Sequence, residues 1–207
     1  MTDRLYVPRF NAMPDDGVRD FVESVAAAQL VTVGEDGAPD ATLLPVLWRE
    51  DRLIGHFARA NPHWKRITDG SAGLAVVTGP DAYISPAWYA TKREHGRVVP
   101  TWNYSVVHLR GPVRVVDDVD FLREVVTALT DHHESKRDEP WAVTDAPEKY
   151  VTGQLRAIIG VEMAVESVEA KAKLSQNRSE EDVAGVIEGL TGTPGEPVAD
   201  EMRSLNP

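Results

Sequence analysis

The stretch GHFARANPHWKR, residues 55–66, sets two imidazoles, His56 and His63, among Arg59, Lys65 and Arg66 with no acid between them. An imidazole can ligate a metal or carry a proton near neutral pH. The guanidinium and ammonium groups can grip carboxylates or phosphates. Asn61-Pro62 is a helix-start pair, asparagine as cap and proline at the first helical position, which puts His63, Trp64, Lys65 and Arg66 on a first turn at a positive dipole end. Two chemistries suit that arrangement. His63 can be the axial ligand of a b-type haem whose propionates the cations hold. Alternatively Arg59, Lys65 and the helix N-terminus take the phosphate of FMN. A surface histidine is the plain alternative for His63. His56 lies inside the strand-like RLIGHFA and is the second choice as ligand, against a satisfied core or interface histidine.

A second group lies between residues 85 and 108. Tyr89, Lys92, His95 and Arg97 bring an acid/base group and cations to a polar, loop-like segment, which suits catalysis more than core packing. In TWNY, Trp102 and Tyr104 share one strand face and Asn103 takes the other. Trp102 is a core or interface aromatic or a cofactor platform, and Asn103 is a buried amide that a flavin ring or a substrate would satisfy. KLSQNR, residues 173–178, gathers Lys173, Gln176, Asn177 and Arg178 into one polar cluster, either a pocket wall or a helix-entry turn. His132 and His133, adjacent on a helix, face different ways and are read as solvated. Glycosidase carboxylate pairs, a G-x-S-x-G elbow, H-E-x-x-H, a P-loop and G-x-G-x-x-G are missing.

The elements that must position these groups follow from periodicity and turn chemistry. After Pro14-Asp15-Asp16, Val18, Phe21, Val22 and Val25 recur at helical spacing, so a first helix runs to about Gln29. LVTVG (30–34), the turn Glu35–Gly37 and DATLLPVLW (40–48) form a hairpin, and Arg49-Glu50-Asp51 leads into a third strand, 52–58. Further strands are expected over 72–85, over 101–118 as a bent pair with the bend at Gly111-Pro112, and over 159–171. Helices are expected at 119–137, 147–158 and 179–190, the last capped by Ser179. Residues 191–207 have little to bury and are expected to be a mobile acidic tail after a single domain, 1–190. Strands joined by short turns, with helices inserted, predict a mainly β α+β fold, a split β-barrel with peripheral helices.

Composition limits the partners. The 207 residues contain no cysteine, which excludes disulfides, thiolate metal sites and cysteine nucleophiles. Acids outnumber Lys and Arg 33 to 22, a net charge of −11, and this argues against direct nucleic-acid binding. No apolar run is long enough to span a membrane, and the charged, proline-containing start is unlike a signal peptide, so a cytoplasmic protein acting on a small molecule is expected.

At GHFARANPHWKR (55–66), AYISPAWY (82–89), KREHGRVVPTWNYSVVH (92–108) and KLSQNR (173–178) the sequence resembles the PaiB-like family, over roughly residues 4–190. It departs at Ala172, where an aromatic is common. The resemblance implies an FMN-binding split barrel acting as a homodimer, with cofactor pockets at the subunit interface that KLSQNR helps to complete. Members are often described as negative transcriptional regulators. One branch resembles haem-dependent piperazate synthase, which closes an N-hydroxylated ornithine by forming an N–N bond. The expectation is a haem-dependent catalyst of that kind, the alternatives being an FMN-binding regulator or an FMN-dependent oxidoreductase.

Overall fold

A computed structural model describes residues 4–205. Seven strands, β1 (Ala27–Val33), β2 (Pro39–Arg49), β3 (Arg52–Ala58), β4 (Ser71–Ile84), β5 (Thr101–Val116), β6 (Ile158–Ala164) and β7 (Ser167–Lys173), form one sheet in the order β4-β1-β2-β3-β6-β5-β7. An additional β4–β5 pairing closes it into a ring, the split barrel expected of the sequence. The helices are α1 (Asp15–Val25), α2 (Thr91–His95), α3 (Val119–Glu134), α4 (Glu148–Leu155), α5 (Glu180–Leu190) and α6 (Glu196–Leu205). None of them is long and apolar enough to cross a membrane. The chain divides into two compact units: Arg19–Val77 with His108–Val168, and the remainder, namely residues up to Val18, Thr78–Val107 and the chain from Glu169 on. β4 and β5 each run from one unit into the other.

In the first of these units, β1 and β2 pair from Ala27↔Pro45 to Val33↔Pro39, with Gly37 at φ 77° in the connecting turn. β2 and β3 pair up to Arg49↔Arg52, so Glu50-Asp51 is a two-residue loop, and Glu50 takes the left-handed φ of 51°. Arg19 caps this loop, donating to the carbonyl oxygens of Trp48 and Glu50 while its guanidinium lies 4.1 Å from the Trp48 ring. α1 ends earlier than expected, at Val25, because Ala26 turns left-handed and its carbonyl accepts from Val46 N–H, which starts the sheet. α3 is capped by Asp118, whose carboxylate accepts from Phe121 N–H, and its apolar side meets Leu47 and Ile54 through Val125 and Leu129.

The expected single strand over 159–171 is two strands. Val165 N–H is taken by the Asp51 carbonyl and Glu166 N–H by the Arg110 carbonyl, so the backbone must turn there. Gly111 is required at this point. A Cβ on it would lie 1.6 Å from the Ala164 carbonyl oxygen. The bend expected at Gly111-Pro112 is thus a close approach inside one continuous sixteen-residue strand rather than a break between two. On β6, buried Glu162 is tolerated because Arg52 and Arg114 each reach its carboxylate, at 2.9 and 2.8 Å.

The second unit packs around Ile84, Tyr89, Leu174, Val186, Leu190, Val198, Ala199 and Met202. Helix α5 turns Gly185 and Gly189, one helical turn apart, toward Trp88, where any side chain would collide with the indole or its carbonyl. Residues 196–205 correct the expectation of a mobile tail. They form α6, and Val198, Ala199 and Met202 are each 0% exposed. Three apolar residues on one helical stripe suffice to dock a helix whose average composition is polar. Ala172, the departure from the family pattern, is itself buried in this cluster. The segment 86–100 also holds more structure than a loop: a 3-10 turn at Pro86–Trp88 and α2, which ends at Gly96 with φ 66°.

Candidate functional site

His63 lies on a 3-10 turn, Pro62–Arg66, whose cap is Asn61 as expected; its Oδ1 accepts from His63 N–H at 2.9 Å. The side chain is directed inward and is 4% exposed. Nε2 is 2.9 Å from Thr32 Oγ1 and Nδ1 is 2.8 Å from Thr42 Oγ1, with the Phe57 ring packed edge-on at 5.2 Å. A neutral imidazole has one donor and one acceptor, and both are committed here. Burial pushes its pKa down, opposed by the Asp40 charge and aided by Arg66. An iron atom could bind His63 only by displacing a threonine hydroxyl, so the residues around it do not fit the expected axial-ligand role.

The cations beside it are also committed. Arg59 pairs with Asp117 at 2.6 Å and donates to the Arg156 carbonyl. Arg66 pairs with Asp40 at 2.6 Å and Asp36 at 2.7 Å. Trp64 donates its indole N–H to the Arg59 carbonyl, and Lys65 lies 5.5 Å from the Trp64 ring. The segment is basic only when read alone, because its neutralising acids come from residues 36, 40 and 117. Arg59 is therefore not free for the phosphate grip expected of it, nor Arg66 for haem propionates, and Lys65 alone among the three has no ion-pair partner among the described residues.

In the other unit, KLSQNR folds on itself. Gln176 spans the turn, accepting from Leu174 N–H and donating to the Ala172 carbonyl, and Ser175 adopts φ 66°. Asn103 is fully buried, and its amide donates to Ser175 Oγ at 3.0 Å, so the partner expected of a ligand is supplied by the chain. Arg178 covers the Tyr89 ring at 4.6 Å, and Tyr89 itself is buried with its hydroxyl unpartnered. Burial raises the Tyr89 pKa, which makes it a poor acid or base at neutral pH. Lys92, His95 and Asn177 stand exposed on the surface, and His95 Nδ1 accepts from Arg97 N–H. Burial divides the expected catalytic set: Tyr89 and Asn103 lie in the core of this unit, while Lys92 and His95 are exposed. Lys173 is anchored by Thr101 Oγ1 and the Trp102 carbonyl.

A concave site lies at His56, the second-choice ligand. His56 sits opposite Gly160 in the β3–β6 pairing and shares its strand face with Ile54, the face that packs on α3. A cleft of about 330 Å³ opens there, lined by Pro45, His56, Val126, Leu129, Thr130, His133, Glu134 and Trp141. His56 Nδ1 is buried and has no hydrogen-bond partner. Burial lowers the pKa of the ring, so it is neutral at pH 7. Glu134 holds the lip: its carboxylate accepts from Trp141 N–H at 3.1 Å and pairs with Arg137. His133, expected to be merely solvated, is exposed on the cleft's rim. No motif announces this lining, which comes from strand, helix and loop; the available signals were a lone histidine in an apolar strand and a lone tryptophan in a polar stretch.

His56, a neutral imidazole with an unpartnered buried nitrogen, lines a mainly apolar cleft, and a single donor of that kind suits a metal that brings ligands of its own. Among the described residues, no group of three His, Asp or Glu side chains stands ready to hold a bare ion. The residues at His56 therefore fit haem better than a free metal, and better than the residues at His63 fit either cofactor.

Comparison with known proteins supplies the family. The family model described as "Putative FMN-binding domain" matches residues 5–167. The chain is 35% identical over 206 residues to the protease synthase and sporulation protein PAI 2 of Bacillus subtilis, covering 97% of this chain and 96% of that one. It belongs to the PaiB-like, FMN-binding family. An uncharacterized protein of Aspergillus fumigatus is 34% identical over 170 residues, 67% of this chain and 65% of its own. Among solved structures, an FAD and heme binding protein from Mycobacterium smegmatis superposes with a TM-score of 0.60 at 20% identity, over 85% of this chain and 80% of that one. A flavocytochrome from Azotobacter vinelandii gives 0.57 at 17% identity, over 88% and 80%. These likenesses bear on the fold, and they agree with the split barrel built from the strand order.

Proposed function

We propose that the protein is a haem-dependent catalyst acting on a small molecule, with His56 as the protein ligand to iron. The observation that carries this reading is the His56 ring, kept neutral by burial, with an unpartnered nitrogen beside a cleft walled by Val126 and Leu129 and lipped by Trp141. When bound, haem would supply an iron centre able to activate a weak N–O bond. The chain's own residues would do the rest: His56 holds the cofactor, Val126 and Leu129 keep water from it, and Trp141, fixed by Glu134, covers the open side. Thr130 and His133 offer the cleft a hydroxyl and an imidazole for orienting a polar substrate.

The reaction class we favour is ring closure of an N-hydroxylated diamine, as in the piperazate synthase branch. One N–N bond forms, one N–O bond breaks, and the hydroxyl leaves with the amine's proton as water, so no external oxidant or reductant is consumed. The working form would be a cytoplasmic homodimer, as the resemblance to the PaiB-like family implies.

Absorbance between 300 and 700 nm during hemin titration tests this. A Soret band is expected in the wild type and in His63→Ala, and its loss or shift in His56→Ala. A band unchanged by His56→Ala overturns the assignment. Flavin-dependent oxidoreduction is the second reading, supported by the FMN-binding family. It gains if FMN, and not hemin, yields a bound spectrum. Transcriptional repression by direct DNA contact has the net charge of −11 against it.

A further inference from the structure

The segment that follows α3 carries one wall of the His56 cleft and is held at few points. Helix α3 ends at Glu134, and the chain is next anchored at Val143, which is buried and packs with Leu122, Val151 and Leu155. Every residue from 135 to 141 is exposed. Ser135 and the Arg137 N–H only close the helix end, on the carbonyl oxygens of Asp131, His132 and Glu134. Among the described residues, Lys136, Asp138 and Glu139 make no hydrogen bond or ion pair. What fastens the side of this strap is one carboxylate. Glu134 Oε2 accepts from the Trp141 backbone N–H at 3.1 Å, and Oε1 pairs with Arg137 Nε at 3.1 Å. Both ties are therefore lost together when Glu134 lets go.

The strap ends in the residue that covers the site. Trp141 lines the cleft together with His56, yet it is 47% exposed, so it is a cover half engaged. Pro140 fixes the backbone just before it, which makes the end of the strap a stiff arm. The cleft, at about 330 Å³, lies near the lower end of the roughly 300–1,000 Å³ usual for ligand pockets. A flat macrocycle needs more width than that, and His56 Nδ1 is buried. Such a ligand reaches the nitrogen only if a wall moves. Leu129 of α3 belongs to a buried cluster with Leu47 and Ile54, whereas the strap is the wall held by least.

We propose that residues 135–141 are a gate over the His56 cleft and that Glu134 is the positioning residue that latches it. Closed, the carboxylate holds the strap at Arg137 and Trp141, and the indole lines the cleft. Open, the strap pivots between Glu134 and Val143 and carries the indole away from the mouth. An exposed ion pair and a single hydrogen bond make a weak closure, so local opening reaches the second position without unfolding the core. The gate rests on the reading of this cleft as the binding site, and it controls access to that site rather than the chemistry within it.

Diethylpyrocarbonate modifies unprotonated imidazoles, so peptide mass spectrometry of the treated full chain reads access to each histidine without any cofactor. Glu134→Ala should raise the rate at His56 by about fivefold or more, while His63, whose two nitrogens are engaged, stays unreactive. Glu134→Gln keeps an acceptor for the Trp141 N–H but loses the ion pair, and its rate should fall between the two. Trp141→Ala should raise the His56 rate as much as Glu134→Ala does. Glu134→Ala added to Trp141→Ala should raise it no further, because the carboxylate acts through the indole it positions. The proposal is overturned if His56 reacts at the wild-type rate in Glu134→Ala and Glu134→Gln chains with unaltered far-ultraviolet circular dichroism. It is also overturned if His63 becomes reactive in parallel or if the effects of the two alanine substitutions multiply. With hemin loaded, Glu134→Ala should also speed hemin release. A chain that takes up no hemin but shows this reactivity pattern keeps the gate and loses the haem assignment, and hemin binding at His56 with unchanged reactivity does the reverse.

Discussion

The Thr42 hydroxyl lies 2.8 Å from His63 Nδ1 while the Thr32 hydroxyl lies 2.9 Å from Nε2, so one buried imidazole ties β1, β2 and the turn after β3. The arrangement uses the full hydrogen-bonding capacity of a neutral ring. It leaves His63 a structural residue in a segment whose composition suggests a ligand.

Thr42→Val should therefore cost stability without touching the cofactor. One ring nitrogen would be left buried and unpaired, a loss of about 1–3 kcal/mol. Urea unfolding monitored by circular dichroism checks the size. An unchanged hemin titration in the same variant checks that the loss is structural.

Stability should fall as the solution is acidified from neutrality. His56 and His63 both have pKa values below the ordinary imidazole value of 6.5, so below that pH the unfolded chain binds more protons than the folded one. Their contribution is flat above about 6.5 and is lost progressively below it, until the folded pKa values are passed. Urea midpoints at a series of pH values from 8 to 5 measure the slope. His63→Gln should flatten it, and a slope unaffected by that substitution would contradict the assignment.

Helix α6 should behave as part of the core. Met202 is 0% exposed among Leu174, Val186 and Leu190, and Met202→Ala should destabilise the chain by about 2–5 kcal/mol through lost burial and the cavity left behind. A mobile tail would give no measurable change in the urea midpoint. Ser105→Ala provides a milder test, because Ser105 donates to Glu201, whose carboxyl burial already raises its pKa.

Glu134→Ala should loosen the lip of the cleft. With its carboxylate gone, the Trp141 backbone N–H loses its acceptor, and tryptophan emission should shift to the red as the segment that carries the indole loosens into water. Hemin affinity should fall several-fold with little change in the urea midpoint. Equal emission spectra for variant and wild type would remove Glu134 from any role in placing Trp141.

Much of the fold was legible because its signals are local. The short apolar run of RLIGHFA after its turn, the Asn61 cap and the apolar stripe of α3 each depend on neighbours within a few residues, and each element formed where expected. The site was less legible because its determinants are distant. Asp36, Asp40 and Asp117 neutralise Arg66 and Arg59 from other elements, and Thr32 and Thr42 claim His63 from the β1–β2 hairpin. The same holds for the break between β6 and β7, which is imposed by Asp51 and Arg110. Helix α6 was missed for another reason: its polar average hides a stripe of three apolar residues. His56 was legible as a candidate, yet its cleft was not, since α3 and Trp141 come together over it only in the folded chain.

The threonine–histidine tie also bears on the order in which a growing chain acquires structure. Thr32, Thr42 and His63 all leave the ribosome well before Ile158–Ala164, so β1, β2, β3 and the turn after them can lock together while residues beyond 66 are still being added. The strand that must cover β3, Ile158–Ala164, is made far later. Through that interval β3 is a locked but uncovered edge, with buried-type residues Leu53, Ile54 and Phe57 along it. Such an edge is an invitation to pair with another chain. Synthesis at high concentration should then be the step at which this protein most depends on chaperones, even though its finished ring leaves β3 fully paired.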